Sequence, residues 1–456
     1  MPLNPARPRD ARRTAFCSLA LPAVAALLAG CAPRESARTP RHVVLALVDT
    51  LRADHLGAYG YARPTSPHID AFARTGIQFV NARSQAPCTY PSANSLLTSR
   101  YPSRFEGRGE GRMGIPPGVV TLAELLQERG FRTYAVSASP IVRKTPSHFN
   151  KEGGFDRGHE VFDESCFWKD ASCVNARAFE LLDTSEGPIF LYLHYMDPHD
   201  PYQPPPTHPR RFALDRSSKD FIERGNPNPI AEMIYAQGAP EVEVTEADRR
   251  HLIDLYDEEI RYLDGHFQAL LDGLDHRGLL ADALVVLLSD HGEAFLERDD
   301  VKHCRHLHDT QIKTPLVLRV PGLTRGRRIE APVENVDVVP TILDYFALDA
   351  DPGFEGHSLR PLIEGRENGS ATGFASWRTQ RSAFDAHHKL ILDPPAGEAA
   401  LYDLARDPGE EHDVIGEHAD VATRLREALR AHRDRVADRA PAADTEEQLR
   451  ALGYLE

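Results

Sequence analysis

The sequence places two carboxylates, one imidazole and one hydroxyl at positions suited to binding a divalent cation. Asp49 follows one continuous aliphatic run, and Asp290 and His291 follow another. Thr89 stands two residues before a proline that suits the first turn of a helix, so its hydroxyl is expected where the helix dipole favours an anion. A cation bound by these four residues would lower the pKa of the threonine hydroxyl. We therefore predict that Thr89 is both a metal ligand and a nucleophile; the alternative is a plain helix N-cap.

A second group of histidines and acids lies elsewhere in the chain. His199 and His303 are predicted to contact the transferred group or the leaving oxygen, as histidines that move protons would. Further candidates for a second metal or for substrate contacts are His194, Asp197, Lys302, His306 and Arg52, with Arg104 as another possible anion contact. The alternatives are solvated histidines and exposed salt bridges.

The elements that must position these residues alternate between strand and helix. Aliphatic runs predict buried parallel strands at 42–48, 189–194 and 283–289, with further strands at 133–136 and 315–320. Helices are predicted at 67–76, at 121–130 from a capping box, and at 245–271. Open α/β sheets place their sites at the carboxyl ends of strands, where Asp49 and Asp290 stand. The pattern predicts an α/β sandwich with a large, mostly parallel sheet flanked by helices.

The pattern changes after about residue 350. Short strands are predicted at 383–392 and 401–404, followed by a charged helix at 417–439. We therefore predict a catalytic domain at 42–350 and a small C-terminal subdomain, with an antiparallel sheet, at 351–456.

The N-terminus has the pattern of an exported lipoprotein. Arginines precede an apolar stretch at 15–29, and small residues precede Cys31. We expect a signal peptide at 1–30, a lipid on Cys31 that anchors the protein to a membrane, a tether at 31–41, and a periplasmic or cell-surface location. The alternative is a cut signal with a soluble product. Export permits disulfides, and Cys166 and Cys173 are close enough in sequence to form one.

Composition excludes some partners. The net charge is −15, so the basic footprint of a nucleic-acid-binding protein is absent. No later segment is apolar over a length that would span a membrane.

The order of these motifs resembles the sulfatase family of the alkaline phosphatase superfamily. The matching stretches lie at 47–57, 91–92 with 95–102, 196–202, 289–293, 336–341, and 401–404 with 407–408. This resemblance implies a metal-dependent ester hydrolase with a large α/β domain and a small C-terminal sheet subdomain. It implies a small anionic ester as the substrate.

Several positions depart from the family pattern. The family has a cysteine or serine two residues before the proline, and oxidises it to formylglycine; here that residue is Thr89, and Cys88 is one residue too early. The usual arginine is Ala93, and a usual second carboxylate is Thr50. Losing a carboxylate and keeping His291 favours zinc or manganese, with calcium as a further possibility.

Superfamily relatives with threonine at this position resemble phosphodiesterases and phosphoethanolamine or phosphoglycerol transferases. We therefore expect a hydrolase or transferase of phosphate or phosphonate esters that forms phospho-Thr89. Two alternatives stay open: a true sulfuric ester hydrolase, and a non-catalytic anchored binding protein on a sulfatase scaffold.

Overall fold

The computed structural model describes residues 37–105, 114–146, 150, 153–213, 246–323, 325–367 and 372–437. The predicted signal peptide and Cys31 lie outside these described residues. Within them, none of the helices combines the length and the apolar character that crossing a membrane requires.

An eight-stranded sheet forms the centre of the fold. Its strands are β1 (His42–Val48), β2 (Ile77–Arg83), β3 (Arg132–Ser137), β4 (Val161–Asp163), β5 (Ile189–Tyr195), β6 (Ala283–Ser289), β9 (Leu316–Arg319) and β10 (Arg327–Glu334). The order is β10-β2-β9-β6-β1-β5-β3-β4. β9 pairs antiparallel with both β2 and β6, and the other described pairs in this sheet are parallel. The predicted mostly parallel sheet is confirmed. Two short strands, β7 (Ala294–Phe295) and β8 (Val301–Lys302), pair separately.

Helices cover both faces of this sheet. They are α1 (Pro67–Thr75), α2 (Thr89–Thr98), α3 (Leu122–Glu128), α4 (Ala171–Asp183), α5 (Glu246–His276), α6 (Asp309–Ile312), α7 (Val338–Tyr345) and α8 (Arg360–Ile363). Alternate residues of β1 enter different cores, because successive strand side chains point to opposite faces. Val44 and Ala46 pack with α1, α4 and α5, whereas Val43 and Leu45 pack with α2, α3 and α7. All seven residues of β1 are buried, as expected for a strand covered on both faces.

Some helix boundaries match the prediction and others differ. The capping box of α3 is present, with the Glu124 amide donating to Thr121 Oγ1 at 3.1 Å. The long helix α5 continues past residue 271 to His276, and Leu274 within this extension is buried in the core. Burial of that apolar side chain favours another turn of helix.

The C-terminal part contains a four-stranded antiparallel sheet, as predicted. Its strands are β11 (Gly373–Trp377), β12 (Gln380–Phe384), β13 (His388–Asp393) and β14 (Glu398–Asp403), in that order, and α9 (Ala419–Ala437) packs on it. The single strand predicted at 383–392 is wrong, because the chain turns between β12 and β13. The Asp385 carboxylate accepts hydrogen bonds from the amides of His387 and His388, both at 2.8 Å, and so stabilises this turn.

A buried charge cluster joins the two sheets. Lys389 on β13 is fully buried and lies 2.6 Å from Asp309 Oδ1 and 2.6 Å from Glu410 Oε1. Arg83, at the end of β2, contacts the other oxygen of Asp309 at 2.6 Å. The small sheet is therefore anchored close to the segment that carries His303 and His306.

Candidate active site

Three neighbouring strands supply the centre of the candidate site. β1 lies between β5 and β6, and Val48 is in register with Tyr195 on one side and Ser289 on the other. Asp49 and Asp290, the next residues along β1 and β6, are therefore brought side by side. Asp49 is 1% exposed and Asp290 is fully buried.

Thr89 reaches the same place from a helix terminus. It is the first residue of α2, with Cys88 as the N-cap, so the helix starts slightly earlier than the proline position suggested. Thr89 Oγ1 lies 3.1 Å from His291 Nε2 and 3.5 Å from Asp49 Oδ1. The structure thus brings together Asp49, Thr89, Asp290 and His291, the four residues that the sequence analysis grouped.

His194 joins this group instead of the second cluster in which the sequence analysis placed it. Its Nε2 lies 3.1 Å from Asp49 Oδ2, and its Nδ1 lies 2.9 Å from the Tyr192 hydroxyl. Potential ligand atoms of Asp49, His194 and Asp290 all lie within 4.8 Å of one another. The reason is register: His194 pairs with Leu47, two residues before Asp49, on the neighbouring strand.

The electrostatics of this group fit a divalent cation. Asp290 Oδ1 accepts from the amides of Thr50 (3.2 Å) and His291 (2.9 Å), whereas Asp290 Oδ2 is buried with no hydrogen-bond partner in the structure. Burial and the charge of Asp49 raise the pKa of Asp290 well above its ordinary value. A bound cation would satisfy this orphaned oxygen and neutralise both carboxylates.

His291 is in the state that a metal ligand needs. Burial, with the nearby His303, lowers the pKa of His291 to about 3, so the ring is neutral. With Nδ1–H donated to Gly292 O at 3.0 Å, the lone pair of Nε2 faces Thr89 and Asp290 Oδ2, the latter 3.3 Å away.

A second group of polar side chains borders the first. The rings of His199 and His303 lie 5.0 Å apart, and His303 lies 4.7 Å from the His291 ring. Asp200 completes this group, with potential ligand atoms of His199, Asp200 and His303 within 4.8 Å of one another. The Lys302 ammonium lies 2.9 Å from Asp200 Oδ2. Asp200 is absent from the sequence-based candidates, although it directly follows His199.

Two of the predicted candidates lie outside both groups of potential ligands in the described chain. The Asp197 carboxyl hydrogen-bonds Glu259 on α5, and burial raises the pKa of Asp197 to about 7. His306 Nε2 lies 3.6 Å from Asp300 Oδ2 and contacts Gln311. These contacts correct the expected placement of Asp197 and His306 beside His199 and His303.

The two arginine candidates lie in ion pairs within the protein. Arg52 is 5% exposed and contacts Asp54 at 2.7 Å and Glu297 at 2.8 Å. Arg104 pairs with Glu355 at 2.5 Å, and both side chains are almost fully buried. Buried pairs of this kind hold the fold around the site.

Two disulfides frame the site. Cys166 and Cys173 are bonded, a pairing that their closeness in sequence allowed. The bond between Cys88 and Cys304 is an additional finding, because the partners are 216 residues apart in sequence. It ties the residue before Thr89 to the residue after His303, and the Cys304 amide donates to Pro87 O at 2.8 Å.

Comparison with known proteins finds relatives that cover most of this chain. Residues 41–348 match a family model described as Sulfatase, and residues 301–435 match one described as N-sulphoglucosamine sulphohydrolase, C-terminal. The steryl-sulfatase of Rattus norvegicus is 24% identical, over 85% of this chain and 88% of that protein. The N-acetylglucosamine-6-O-sulfatase of Bacteroides thetaiotaomicron is 22% identical, over 90% of this chain and 89% of that protein. The phosphonate monoester hydrolase of Agrobacterium radiobacter shares the fold, with a TM-score of 0.70, 19% identity, and coverage of 87% of this chain and 96% of that chain.

Proposed function

Because the chain belongs to the sulfatase family, we propose that it is a metal-dependent hydrolase or transferase of phosphate or phosphonate esters that acts through a covalent Thr89 intermediate. Hydrolysis of sulfuric or phosphoric esters is the activity supported by the family and its neighbours. The preference for phosphorus esters over sulfuric esters rests on Thr89 itself. This residue stands at the start of α2 and lies within 3.5 Å of both Asp49 and His291. Oxidising a threonine gives a ketone, which hydrates poorly, so Thr89 does not suit the formylglycine route to sulfate release.

The residues that would hold the cation are Asp49, Asp290, His291 and Thr89, with His194 beside them. A divalent cation, zinc or manganese before calcium, would lower the pKa of the Thr89 hydroxyl and neutralise the ester oxygens. Thr89 then loses its proton to solvent and attacks phosphorus in line, and the bond from phosphorus to the leaving oxygen breaks.

His303 is the proposed proton donor to the leaving oxygen. Burial lowers the pKa of His303, but the Glu293 carboxylate, 3.1 Å from Nδ1, together with the charges of Asp200 and Asp49, outweighs that effect and holds the pKa above its ordinary value. His199, whose ring packs against His303, contacts the transferred group. In the second step water or an acceptor hydroxyl attacks phosphorus and gives its proton to His303. The bond from phosphorus to Thr89 Oγ1 breaks, and the Thr89 oxygen takes up a proton from solvent.

The test is a substrate panel on Thr89 variants. Aryl sulfate, phosphate monoester, phosphate diester and phosphonate ester are each assayed with zinc, manganese or calcium. We expect phosphate or phosphonate ester turnover, a loss of at least about 1,000-fold in kcat for Thr89→Ala, and partial activity for Thr89→Ser. Ser92→Ala is the matched control, because Ser92 lies on the same helix and its hydroxyl donates to Cys88 O at 2.7 Å. Mass spectrometry of quenched reactions should locate a phosphoryl group on Thr89.

Full turnover by Thr89→Ala would contradict the covalent mechanism. Turnover of the aryl sulfate alone would instead favour the second candidate, a sulfuric ester hydrolase, which the sulfatase names of the curated relatives support. Formylglycine found at position 88 or 89 would also overturn the threonine mechanism.

We also propose export and a lipid anchor on Cys31. The two disulfides support an oxidising compartment, since such bonds are rare in the cytosol. Cell fractionation tests the anchor: the full chain should pellet with membranes and Cys31→Ser should not. Equal membrane recovery of both proteins would contradict the lipid anchor.

A further inference from the structure

An exposed aromatic pair lies beside the candidate active site. Trp168 is 43% exposed and Phe167 is 38% exposed, and their ring centroids lie 6.3 Å apart. With Val161, they are the large apolar side chains that the described part of the chain leaves exposed. Single exposed apolar residues are common, but adjacent exposed aromatic rings beside a candidate site are typical of a binding surface.

A row of rings connects this pair to the proposed nucleophile. The Trp168 indole lies 5.5 Å from the His199 ring, His199 lies 5.0 Å from His303, and His303 lies 4.7 Å from His291. His291 Nε2 in turn lies 3.1 Å from Thr89 Oγ1. Trp168 therefore stands on the side of the site where His199 and His303 are proposed to meet the leaving oxygen.

The structure holds the aromatic pair rigidly. The Cys166–Cys173 disulfide closes the loop that carries it, and the Trp168 amide donates to Ala138 O at 3.0 Å. The Arg143 guanidinium lies over the Phe167 ring, 4.6 Å from its centroid. Trp168 also has a φ of 53°, in the left-handed region that residues other than glycine seldom occupy. Rigid presentation of an exposed ring reduces the entropy lost when a ligand stacks on it.

We propose that Trp168 is the specificity-determining residue of a leaving-group subsite, and that it selects esters whose alcohol carries a ring with a broad face, either an aryl ring or a sugar ring. Both ring types can lie on the indole face, an arene through its π surface and a sugar through its C–H face. This inference rests on the proposed function, because it places the alcohol half of the ester on the side of the site away from Thr89.

The kinetic test compares ring-bearing esters with an alkyl ester. Phenyl phosphate, glucose 6-phosphate and ethyl phosphate, or the corresponding esters of whichever acid the substrate panel selects, are assayed on Trp168→Ala. We expect KM to rise by about 10-fold for a ring-bearing ester, with KM for the ethyl ester nearly unchanged. The ester with the larger rise identifies the ring as aryl or glycosyl. Val161→Ala is the matched control, since it truncates another exposed apolar side chain and should leave all KM values unchanged.

Tryptophan fluorescence tests the subsite without turnover. The chain has two tryptophans, and the other, Trp377, is 6% exposed and donates its indole N–H to Cys304 O. Phenylphosphonate or glucose 6-phosphate should change the emission of the intact protein, methylphosphonate should change it much less, and Trp168→Phe should abolish the difference.

The outcomes separate the two proposals. Equal KM changes for ethyl and ring-bearing esters, or none, would overturn the subsite while leaving the ester hydrolase intact. If no ester of either acid is turned over, the proposed function fails; a ring-dependent change in Trp168 emission would then still support the binding surface, and its absence would overturn it.

Discussion

The carboxylates of Asp49 and Asp290 are buried side by side. Burying two negative charges together costs free energy unless a cation or a proton neutralises them. His194, on the neighbouring strand β5, contacts Asp49 Oδ2, and the Tyr192 hydroxyl fixes the orientation of the His194 ring. A histidine that hydrogen-bonds a carboxylate ligand orients that carboxylate and raises the metal affinity of the site. The alternative role for such a histidine is to supply a further ligand atom itself.

The first prediction is that His194→Ala weakens zinc or manganese binding by about 10- to 100-fold, because Asp49 loses its partner. Titration calorimetry or competition with a chelator dye measures the affinity. His276→Ala, at the exposed end of α5, is the control and should bind metal normally. Unchanged affinity in His194→Ala would restrict His194 to a structural role.

At the scale of elements, Glu334 connects the two sheets. It ends β10, accepts from the Tyr101 hydroxyl at 3.0 Å, and accepts from the Phe374 amide of β11 at 2.9 Å. Burial, and then the charge of Asp337, raises the pKa of Glu334 from 4.5 to about 8. The folded protein therefore keeps a proton on Glu334 that the unfolded chain releases near pH 4.5.

The second prediction concerns the dependence of stability on pH. Because the folded state binds more protons between about pH 4.5 and pH 8, the contribution of Glu334 to stability falls as pH rises through that window and levels off above it. Glu334→Gln removes this titration, so it should flatten the decline and be more stable than the native chain at pH 8, by on the order of 2 kcal/mol.

Urea unfolding at pH 5 and pH 8 measures this difference. Glu330→Gln is the control, because Glu330 is an exposed residue of the same strand and should follow the native pH profile. Parallel pH profiles for the native chain and Glu334→Gln would show that Glu334 does not titrate in this window.

At the scale of the whole molecule, the Cys88–Cys304 bond joins distant parts of the chain at the site. It closes a span of 216 residues, whereas Cys166–Cys173 closes a span of 7. A chain-entropy estimate assigns about 5 kcal/mol to the long span and about 2 kcal/mol to the short one. The long bond also holds the segment of His303 against the start of α2.

The third prediction is that Cys88→Ser combined with Cys304→Ser lowers both stability and kcat, because His303 loses its fixed distance to Thr89. Cys166→Ser combined with Cys173→Ser is the matched comparison and should cost less stability. Urea unfolding and steady-state kinetics on the best ester measure both effects. A native kcat in the first double variant would show that the bond stabilises the fold without positioning His303.

Local patterns were enough to predict much of the large sheet. The aliphatic runs of β1, β5 and β6 identify buried strands because each is covered on both faces. The antiparallel direction of β9 does not follow from its composition, since a short apolar run has the same pattern in either direction. Strand direction depends on the connections and on the neighbours that the strand meets.

The sequence by itself determined the residues that follow the strands and open the helix: Asp49, Thr89, Asp290 and His291. Their places depend on local rules, because parallel strands end at one edge of a sheet and a helix start directs its amides outward. Only the tertiary structure decided that His194 joins Asp49, that Asp200 joins His199 and His303, and that Cys88 bonds Cys304. Those contacts depend on strand register and on the path of long connections, which bring together residues that no spacing along the chain relates.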